Sequence, residues 1–249
     1  PVAEDLKTDF LATLELVLLA MAIAITCGIG LGIISAVKRN RLPDTLSRIF
    51  SLVGISMPAF WLGLLVILIF YYHLSLLPAG GRLAPYLTPP PTVTGMYTID
   101  SLLAGDLATF TNAFYHLLGP ALVLGWIQTA YICRVTRSSM LEVLHEEYIR
   151  TARVKGLREG VVVFKHAFRN AAISVITMIG ISFGFMLEGS VLTETVFGYP
   201  GLGRYSVSSF LALDLNAVVG SVTLIALCYA LTNLIVDLLY GFLDPRVKY

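Results

Sequence analysis

The chain has 249 residues, of which 57% are hydrophobic and 13% are charged. A soluble globular domain carries about 25% charged residues, so this composition excludes an ordinary soluble domain and is typical of a protein in lipid. The formal net charge of +1 points to no class of partner. The distribution of the cations along the chain is far more informative than their number.

Five apolar segments are each long enough to cross a bilayer, which requires about 20 predominantly apolar residues. Each contains at most one acidic residue and no Lys or Arg. In chain order they are Leu11–Val37, Ile49–Tyr72, Ala113–Cys133, Ala171–Leu192 and Ala217–Leu243. The sequence therefore predicts an all-α membrane protein, with five transmembrane helices in a single domain over residues 1–249.

The Lys and Arg residues alternate with the predicted crossings. Fourteen of the 17 follow the first span, lie between the third and fourth, or follow the fifth, and only Lys7, Arg82 and Arg204 lie in the other connections. Cytoplasmic loops carry the excess of Lys and Arg in membrane proteins. We therefore expect a multi-pass protein of the inner (plasma) membrane with its N-terminus outside and its C-terminus in the cytoplasm. Residues 1–9 are polar and acidic and lack the basic start of a signal peptide. Because an external N-terminus needs an export element, we also expect a further span ahead of Pro1.

The external connection, residues 73–112, is longer than a helix hairpin requires. A proline triplet at 89–91 keeps part of it extended. Thr98 or Asp100 is expected to cap a short helix that runs through Leu107. Two interpretations remain open for this connection: a passive linker, or a docking surface for an external partner.

The cytoplasmic connection, residues 134–170, predicts two helices around a glycine. Glu146–Lys155 has acids at its start and bases at its end, which suits the helix dipole. Leu144, Tyr148 and Ala152 are expected to share one face. Gly156 is expected to end this helix, and Glu159–Asn170 to form the second.

Three interpretations compete for this cytoplasmic connection. The first is a helix on the lipid surface, and the second is a solvated basic loop that only fixes the topology. The third is a helix that inserts into a groove of a cytosolic partner. The small Ala152 and the flexible Gly156 favour the third, because both allow a close approach of two backbones.

Several motifs resemble a known family of transporters. EYIRTARVKGL (147–157) followed by FKHAFRNA (164–171) resembles the cytoplasmic loop of binding-protein-dependent ABC importer permeases, in the branch for dipeptides, oligopeptides and nickel. The family order is kept by TLELVLLA (13–20), ISMPAFWLGLLV (55–66), LLPAGGR (76–82), ETVFGYPGLGRY (194–205) and IVDLLYGFLDPR (235–246). The match covers nearly the whole chain.

The resemblance implies a type I ABC importer transmembrane domain of six spans, of which the N-terminal one is absent here. It implies a second homologous permease, two cytosolic ATP-binding subunits and an external substrate-binding protein as partners. ATP and Mg would be bound by the partner subunits. This chain would carry no catalytic residue and no cofactor, and it contains no GxxxxGK[ST] phosphate loop.

The resemblance also implies which residues contact the ATPases. They are Glu146, Glu147, Tyr148, Arg150, Thr151, Ala152, Arg153, Lys155, Gly156 and Leu157. The implied function is to form half of the path for short peptides by alternating access. The alternatives are import of nickel or another small solute and, from a different class, an ion-coupled secondary transporter.

Candidate residues for the translocation path or outer gate are Met57, Pro58, Glu188, Tyr199 and Pro200. Met57-Pro58 is expected to kink the second span, and Glu188 to face the external mouth. The GYPGLGR segment (198–204) is expected to form a tight re-entrant turn. Glu15 and Asp237, near span ends, are interpreted as structural ion-pair partners. The four histidines show no metal-ligand spacing, so no metal site is expected.

Overall fold

The computed structural model describes the fold of residues 2–243, and the side chains as far as Ile235 and at Leu238. Within these residues every regular element is helical. The α-helices are α1 (Val2–Val37), α2 (Leu42–Ser56), α3 (Ala59–Val66), α4 (Tyr97–Leu103), α5 (Leu107–Leu144), α6 (Glu147–Val154), α7 (Glu159–Val161), α8 (Arg169–Val196), α9 (Leu202–Leu211) and α10 (Leu215–Leu243). Two π-helical segments, Ile67–His73 and Val162–Phe168, continue α3 and join α7 to α8.

Four helical stretches of the described chain are long and apolar enough to cross a membrane, and a bent pair makes a fifth. The four are Val2–Val37, Leu107–Leu144, Glu159–Val196 and Leu215–Ile235. The pair is Leu42–Ser56 with Ala59–His73, bent by 109°. The expectation of five spans is thus confirmed when the pair counts as one crossing, and the predicted kink at Met57-Pro58 is a complete break. The C-terminal cations Arg246 and Lys248 lie outside the described residues.

The predicted helix at Glu159–Asn170 begins where expected, but its predicted end is wrong. α7, the π-helical segment and α8 form one continuous helical stretch to Val196. No proline lies between Glu159 and Val196, so the chain has no strong helix breaker at Asn170. The fourth span therefore begins directly behind the turn at Gly156.

The chain divides into two compact units. The first unit contains the residues up to Met21, Met57–Gly125 and Gly184–Ala230. The second unit contains Ala22–Ser56, Trp126–Phe183 and the chain from Leu231 onward.

In the first unit, the residues that organise α4 differ from the expected caps. Thr98 and Asp100 lie inside α4, whose N-cap position is Met96 with no side-chain cap. α4 ends at Leu103, so the expected helix through Leu107 is also wrong. Asp106 instead caps α5, because its Oδ1 accepts hydrogen bonds from the amides of Ala108 (3.1 Å) and Thr109 (3.0 Å).

In the second unit, small residues let α1 pack closely against α5. A side chain at Gly28 would collide with Ile132, and one at Gly32 would collide with Thr136. Neither glycine faces an open space in which a ligand would fit. Close helix packing, as expected for small residues within spans, is their role.

Candidate functional site

α6 is the exposed helix that the sequence predicts as the coupling element. Glu146 has an extended backbone (ψ 146°), and α6 follows it as Glu147–Val154. Gly156 has φ +77°, a conformation that glycine adopts without steric cost. The amide of Leu157 then donates to the carbonyl of Ala152 at 3.4 Å and closes the turn. The predicted helix and its glycine stop are confirmed, with the helix one residue shorter at each end.

The inward face of α6 is apolar and packed. Ile149 and Ala152 have exposed fractions of 0% and 7%. The other buried members of their cluster are Ile33, Ala36, Met140, Val162, Val163, Ala167 and Ala171. The cluster joins α6 to α1, α5, the second π-helical segment and α8, so α6 is fixed to the body of the second unit.

The expected face of Leu144, Tyr148 and Ala152 is therefore wrong in part. Leu144 is the last residue of α5, and α6 begins only at Glu147, so the helical period does not run through from Leu144. Ile149 takes the buried position, while Tyr148 remains 42% exposed. Ala152 points into the chain's own core, which removes it from the outward surface on which the sequence analysis placed it.

The outward face of α6 is charged and is here named the α6 surface. Its residues, all exposed, are Glu146, Glu147, Tyr148, Arg150, Thr151, Arg153, Val154, Lys155, Gly156 and Leu157. Val154 is 88% exposed and is a member that the sequence analysis missed. The acids precede the bases along the helix, as the helix dipole favours.

Polar contacts brace α6 against the chain that follows it. The Arg153 guanidinium donates two hydrogen bonds to the Glu159 carboxylate, at 2.7 and 3.2 Å. The Asn170 side-chain amide donates to the Tyr148 hydroxyl at 2.7 Å. Because both side chains of the Arg153–Glu159 pair are about half exposed, the pair contributes about 0–1 kcal/mol. The packing of Ile149 and Ala152 in their cluster, here named the apolar seat of α6, provides most of the stability.

The candidate gate residues all belong to the first unit, and they differ in exposure. Glu188, Pro58 and Pro200 are exposed, and Met57 is half-buried. Tyr199 is fully buried, and its hydroxyl donates to Glu15 Oε2 at 3.5 Å. Burial raises the pKa of Tyr199, so the phenol stays neutral. Its aromatic ring is part of the core of this unit, and its assignment to the path or outer gate stays a prediction.

Glu15 is the acceptor that ties the 73–112 connection to α1. Arg82 donates to Glu15 Oε2 through Nη2 (2.7 Å) and Nε (3.3 Å). Thr98 donates to Oε1 through its amide (2.7 Å) and its hydroxyl (2.6 Å). Both Glu15 and Arg82 are buried, so the structural interpretation of Glu15 is confirmed. Asp237 lies outside the described side chains.

Glu194 is a buried acid of the first unit that the sequence analysis missed. Its Oε1 accepts from the Thr13 hydroxyl at 2.7 Å, and its Oε2 accepts from the amide of Arg204 at 3.0 Å. Thr13 in turn accepts from the amide of Leu202 at 2.8 Å. Together they satisfy amides in the first turn of α9, and Gly201 leaves the space that the carboxylate occupies. An acid shortly before a helix start was the available signal.

Asp44 and Arg137 form an ion pair in the second unit that was also missed. Asp44 is 0% exposed, and the part-buried Arg137 donates to it through Nε (2.8 Å) and Nη2 (3.1 Å). Ser35 donates to the same carboxylate at 2.6 Å, and the amide of Asn40 at 2.9 Å. The pair links α1, α2 and α5. Pro43-Asp44, in the first turn of α2, is a pattern typical of a helix start, but the partner on α5 has no local signal.

Among the described residues, no group of three or more His, Cys, Asp or Glu side chains is placed to hold a metal ion. Four buried carboxylates are found there, those of Glu15, Asp44, Asp100 and Glu194, and all four accept hydrogen bonds from protein donors. These four acids therefore act as structural acceptors.

Comparisons with known proteins agree with this arrangement. Residues 28–249 match the family described as binding-protein-dependent transport system inner membrane component. The chain is 51% identical to the probable D,D-dipeptide transport system permease protein DdpB of Escherichia coli over 99% of this chain and 73% of the relative. It is 44% identical to the dipeptide transport system permease protein DppB of Alkalihalophilus pseudofirmus, over 100% of this chain and 74% of the relative.

A more distant relative and a solved structure extend the comparison. The glutathione transport system permease protein GsiC of Escherichia coli is 39% identical, over 100% of this chain and 72% of the relative. The crystal structure of an amino acid ABC transporter with histidines contains a chain with the same fold, at a TM-score of 0.62 and 14% identity. The match covers 98% of this chain and 95% of that one.

Proposed function

The chain belongs to the family of inner membrane components of binding-protein-dependent transport systems, and from that premise we propose that it forms half of an import path for short peptides. It is a multi-pass permease of an ABC importer. In the proposal, a second homologous permease forms the other half, and an external binding protein delivers the substrate. Two cytosolic subunits bind and hydrolyse ATP with Mg, and this chain carries no catalytic residue or cofactor.

The relatives support peptides as the substrate class. The D,D-dipeptide and dipeptide permeases are similar to this chain over essentially its whole length. The alternative is nickel or another small solute carried by the same architecture. Purification of the complex with its binding protein, followed by mass spectrometry of the bound ligand, separates the two. A peptide is expected, and a bound metal or non-peptide solute would overturn the substrate assignment.

The α6 surface supports the proposed contact with the ATPases. α6 is packed on its apolar side and charged on its outer side, so a partner protein can bind the outer side without displacing the helix from the second unit. The excess of cations in residues 134–170 supports the cytoplasmic orientation of this connection, and with it external positions for residues 73–112 and a cytoplasmic C-terminus.

The proposed mechanism is alternating access driven from α6. Closure of the ATPases pushes on the α6 surface, and Ile149 and Ala152 pass the displacement into the packed cluster. Because packed interiors transmit strain, the parts of α1, α5 and α8 in that cluster move with α6. The candidates for the path and outer gate are the exposed Glu188, Pro58 and Pro200, the half-buried Met57 and the buried Tyr199.

The coupling proposal is tested by Arg150→Glu. Arg150 is exposed, and its one ion pair within the described residues is with Glu147 on its own helix, at 3.2 Å. We therefore expect the free energy of unfolding to change by less than about 0.5 kcal/mol. ATP-driven dipeptide uptake by the reconstituted complex should fall at least 10-fold. Arg41→Glu, which makes the same charge change at an exposed position outside α6, is the matched control. Equal uptake by the two variants would remove α6 as the contact.

An ion-coupled transporter is the competing class, and it requires a buried acid or a broken helix pair near the middle of the bilayer, of which the break between α2 and α3 is an example by sequence. Glu15 and Glu194 are buried, but protein donors surround both. Collapse of the proton and sodium gradients with ATP maintained should leave uptake unchanged. Loss of uptake under that condition would favour the ion-coupled class.

A further inference from the structure

A cavity of about 390 Å³ in the second unit is not used by the proposed import mechanism. It lies among α1, α2 and α5. Its polar lining consists mainly of Ser35, Ser47, Arg48, Ser51, Arg134 and Arg137. No acidic residue lines it. Three guanidinium groups around one cavity make it a site for an anion.

The charges around the cavity are not balanced within the described chain. Asp44 lies directly behind it and is engaged by Arg137. Arg48 is 3.6 Å from the same carboxylate, with its side chain 51% exposed. Arg134 has only a distant contact with the Tyr131 ring, 5.8 Å from the centroid. One carboxylate thus faces three guanidinium groups, and Arg48 and Arg134 have donors left for a ligand.

The cavity also has an apolar side that continues onto the surface. Leu52 lines it and is 62% exposed, and Leu46 and Ile49 expose 59% and 52% on the outer face of α2. A small soluble anion would leave this apolar surface uncovered. A ligand with an anionic group and a hydrocarbon chain would cover both parts.

We propose that this cavity binds the headgroup of an anionic phospholipid from the cytoplasmic leaflet. Arg48 and Arg134 hold the phosphodiester, since a guanidinium group matches the geometry of a phosphate. An acyl chain lies along Leu52 and the exposed leucines of α2. Basic pockets between transmembrane helices on the cytoplasmic side are suited to anionic headgroups. The assignment of the leaflet rests on the proposed orientation, in which the cations that follow α1 and those of residues 134–170 are cytoplasmic.

The test is native mass spectrometry of the full importer complex with added phosphatidylglycerol or phosphatidylcholine. Phosphatidylglycerol should bind at least 10-fold more tightly than phosphatidylcholine. The double variant Arg48→Gln/Arg134→Gln should lose that preference. Arg41→Gln, on the exposed connection between α1 and α2 and outside the cavity, should retain it.

Three results would overturn the proposal. Equal loss in Arg41→Gln would mean diffuse attraction to a basic surface, and unchanged binding by the double variant would place the lipid elsewhere. Displacement of the lipid by inorganic phosphate or a dipeptide at equal concentration would mean a site for a soluble anion. Because binding is measured without ATP or uptake, an error in the import proposal would leave this result interpretable.

Discussion

α2 and α6 are two amphipathic helices of the second unit with opposite arrangements. α6 buries Ile149 and Ala152 and exposes its charges. α2 buries Asp44, Ser47, Ser51 and Gly54, which recur every three or four residues. Its exposed face carries Leu42, Leu46, Ile49 and Leu52, all more than half exposed.

The difference indicates what surrounds each helix. An exposed charged face is stable against water or a polar groove, whereas an exposed leucine stripe on a membrane protein is stable against lipid or another transmembrane helix. The charged face of α6 is therefore suited to a cytosolic partner, and the leucine face of α2 is suited to an apolar environment. Experiments that invert or weaken either helix test this distinction.

The largest effect is expected at the polar face of α2, for Asp44→Asn. This change leaves the part-buried Arg137 without its counter-charge. Breaking a fully buried ion pair costs about 3–5 kcal/mol, and because the Arg137 side chain is 23% exposed we expect the lower part of that range, about 3–4 kcal/mol. Chemical unfolding of the purified complex, followed by tryptophan fluorescence, measures it. Glu142→Gln, the same type of change at an exposed position on α5, should cost less than about 0.5 kcal/mol. Equal losses would show that α2 is not organised around Asp44.

The apolar seat of α6 should give the next largest effect. Ile149→Ala removes a fully buried side chain and is expected to cost about 2–4 kcal/mol. Hydrogen exchange of the amides in α6 should accelerate, while exchange in α10 stays unchanged. Val154→Ala is the matched control, since Val154 is 88% exposed. Similar protection of α6 in both variants would contradict the packed seat.

α4 of the first unit resembles α2, because it buries polar residues and exposes leucines. Its stability is expected to depend on pH. Asp100 and Ser101 are buried, whereas Leu102 and Leu103 are more than half exposed. Burial raises the pKa of Asp100, but hydrogen bonds from the amides of Thr94 and Gly95, and from the Thr94 hydroxyl, outweigh it and hold the pKa below its usual 3.8.

The sign of the pH dependence follows from that lowered pKa. The folded state favours the carboxylate, so its stabilisation is present above pH 3.8 and is lost as the pH falls through the lower folded value. Limited proteolysis of residues 93–103 should therefore accelerate below about pH 4. Asp100→Asn should weaken the segment by about 1–3 kcal/mol at pH 7 and remove that part of the acid dependence. A wild-type segment with the same cleavage rate at pH 3 and pH 7 would contradict this account.

The sequence predicts those parts of the fold that depend on neighbouring residues. The apolar runs locate the crossings, Pro58 marks the break between α2 and α3, and Gly156 marks the end of α6. Each of these signals acts within a few residues, because hydropathy and backbone preference are local properties.

The polar pairs could not be predicted in the same way. Glu15 and Arg82 are 67 positions apart, Asp44 and Arg137 are 93 apart, and Thr13 and Glu194 are 181 apart. No periodicity connects such partners, so only the packed fold identifies them. The burial of Tyr199 could not be predicted for a related reason, because the glycine-rich turn around it indicates a surface while its own ring lies in the core.

The break at Met57-Pro58 limits where the acyl chains of the lipid can contact the protein. The last turn of a helix has carbonyl oxygens without amide partners, and Pro58, which follows α2 by two residues, has no amide hydrogen to offer. Hydrocarbon cannot hydrate such oxygens, so a break within a membrane crossing must be surrounded by protein or water. The open carbonyl oxygens at the end of α2 therefore require cover by protein or contact with water, although α2 exposes a stripe of leucines only a few residues earlier.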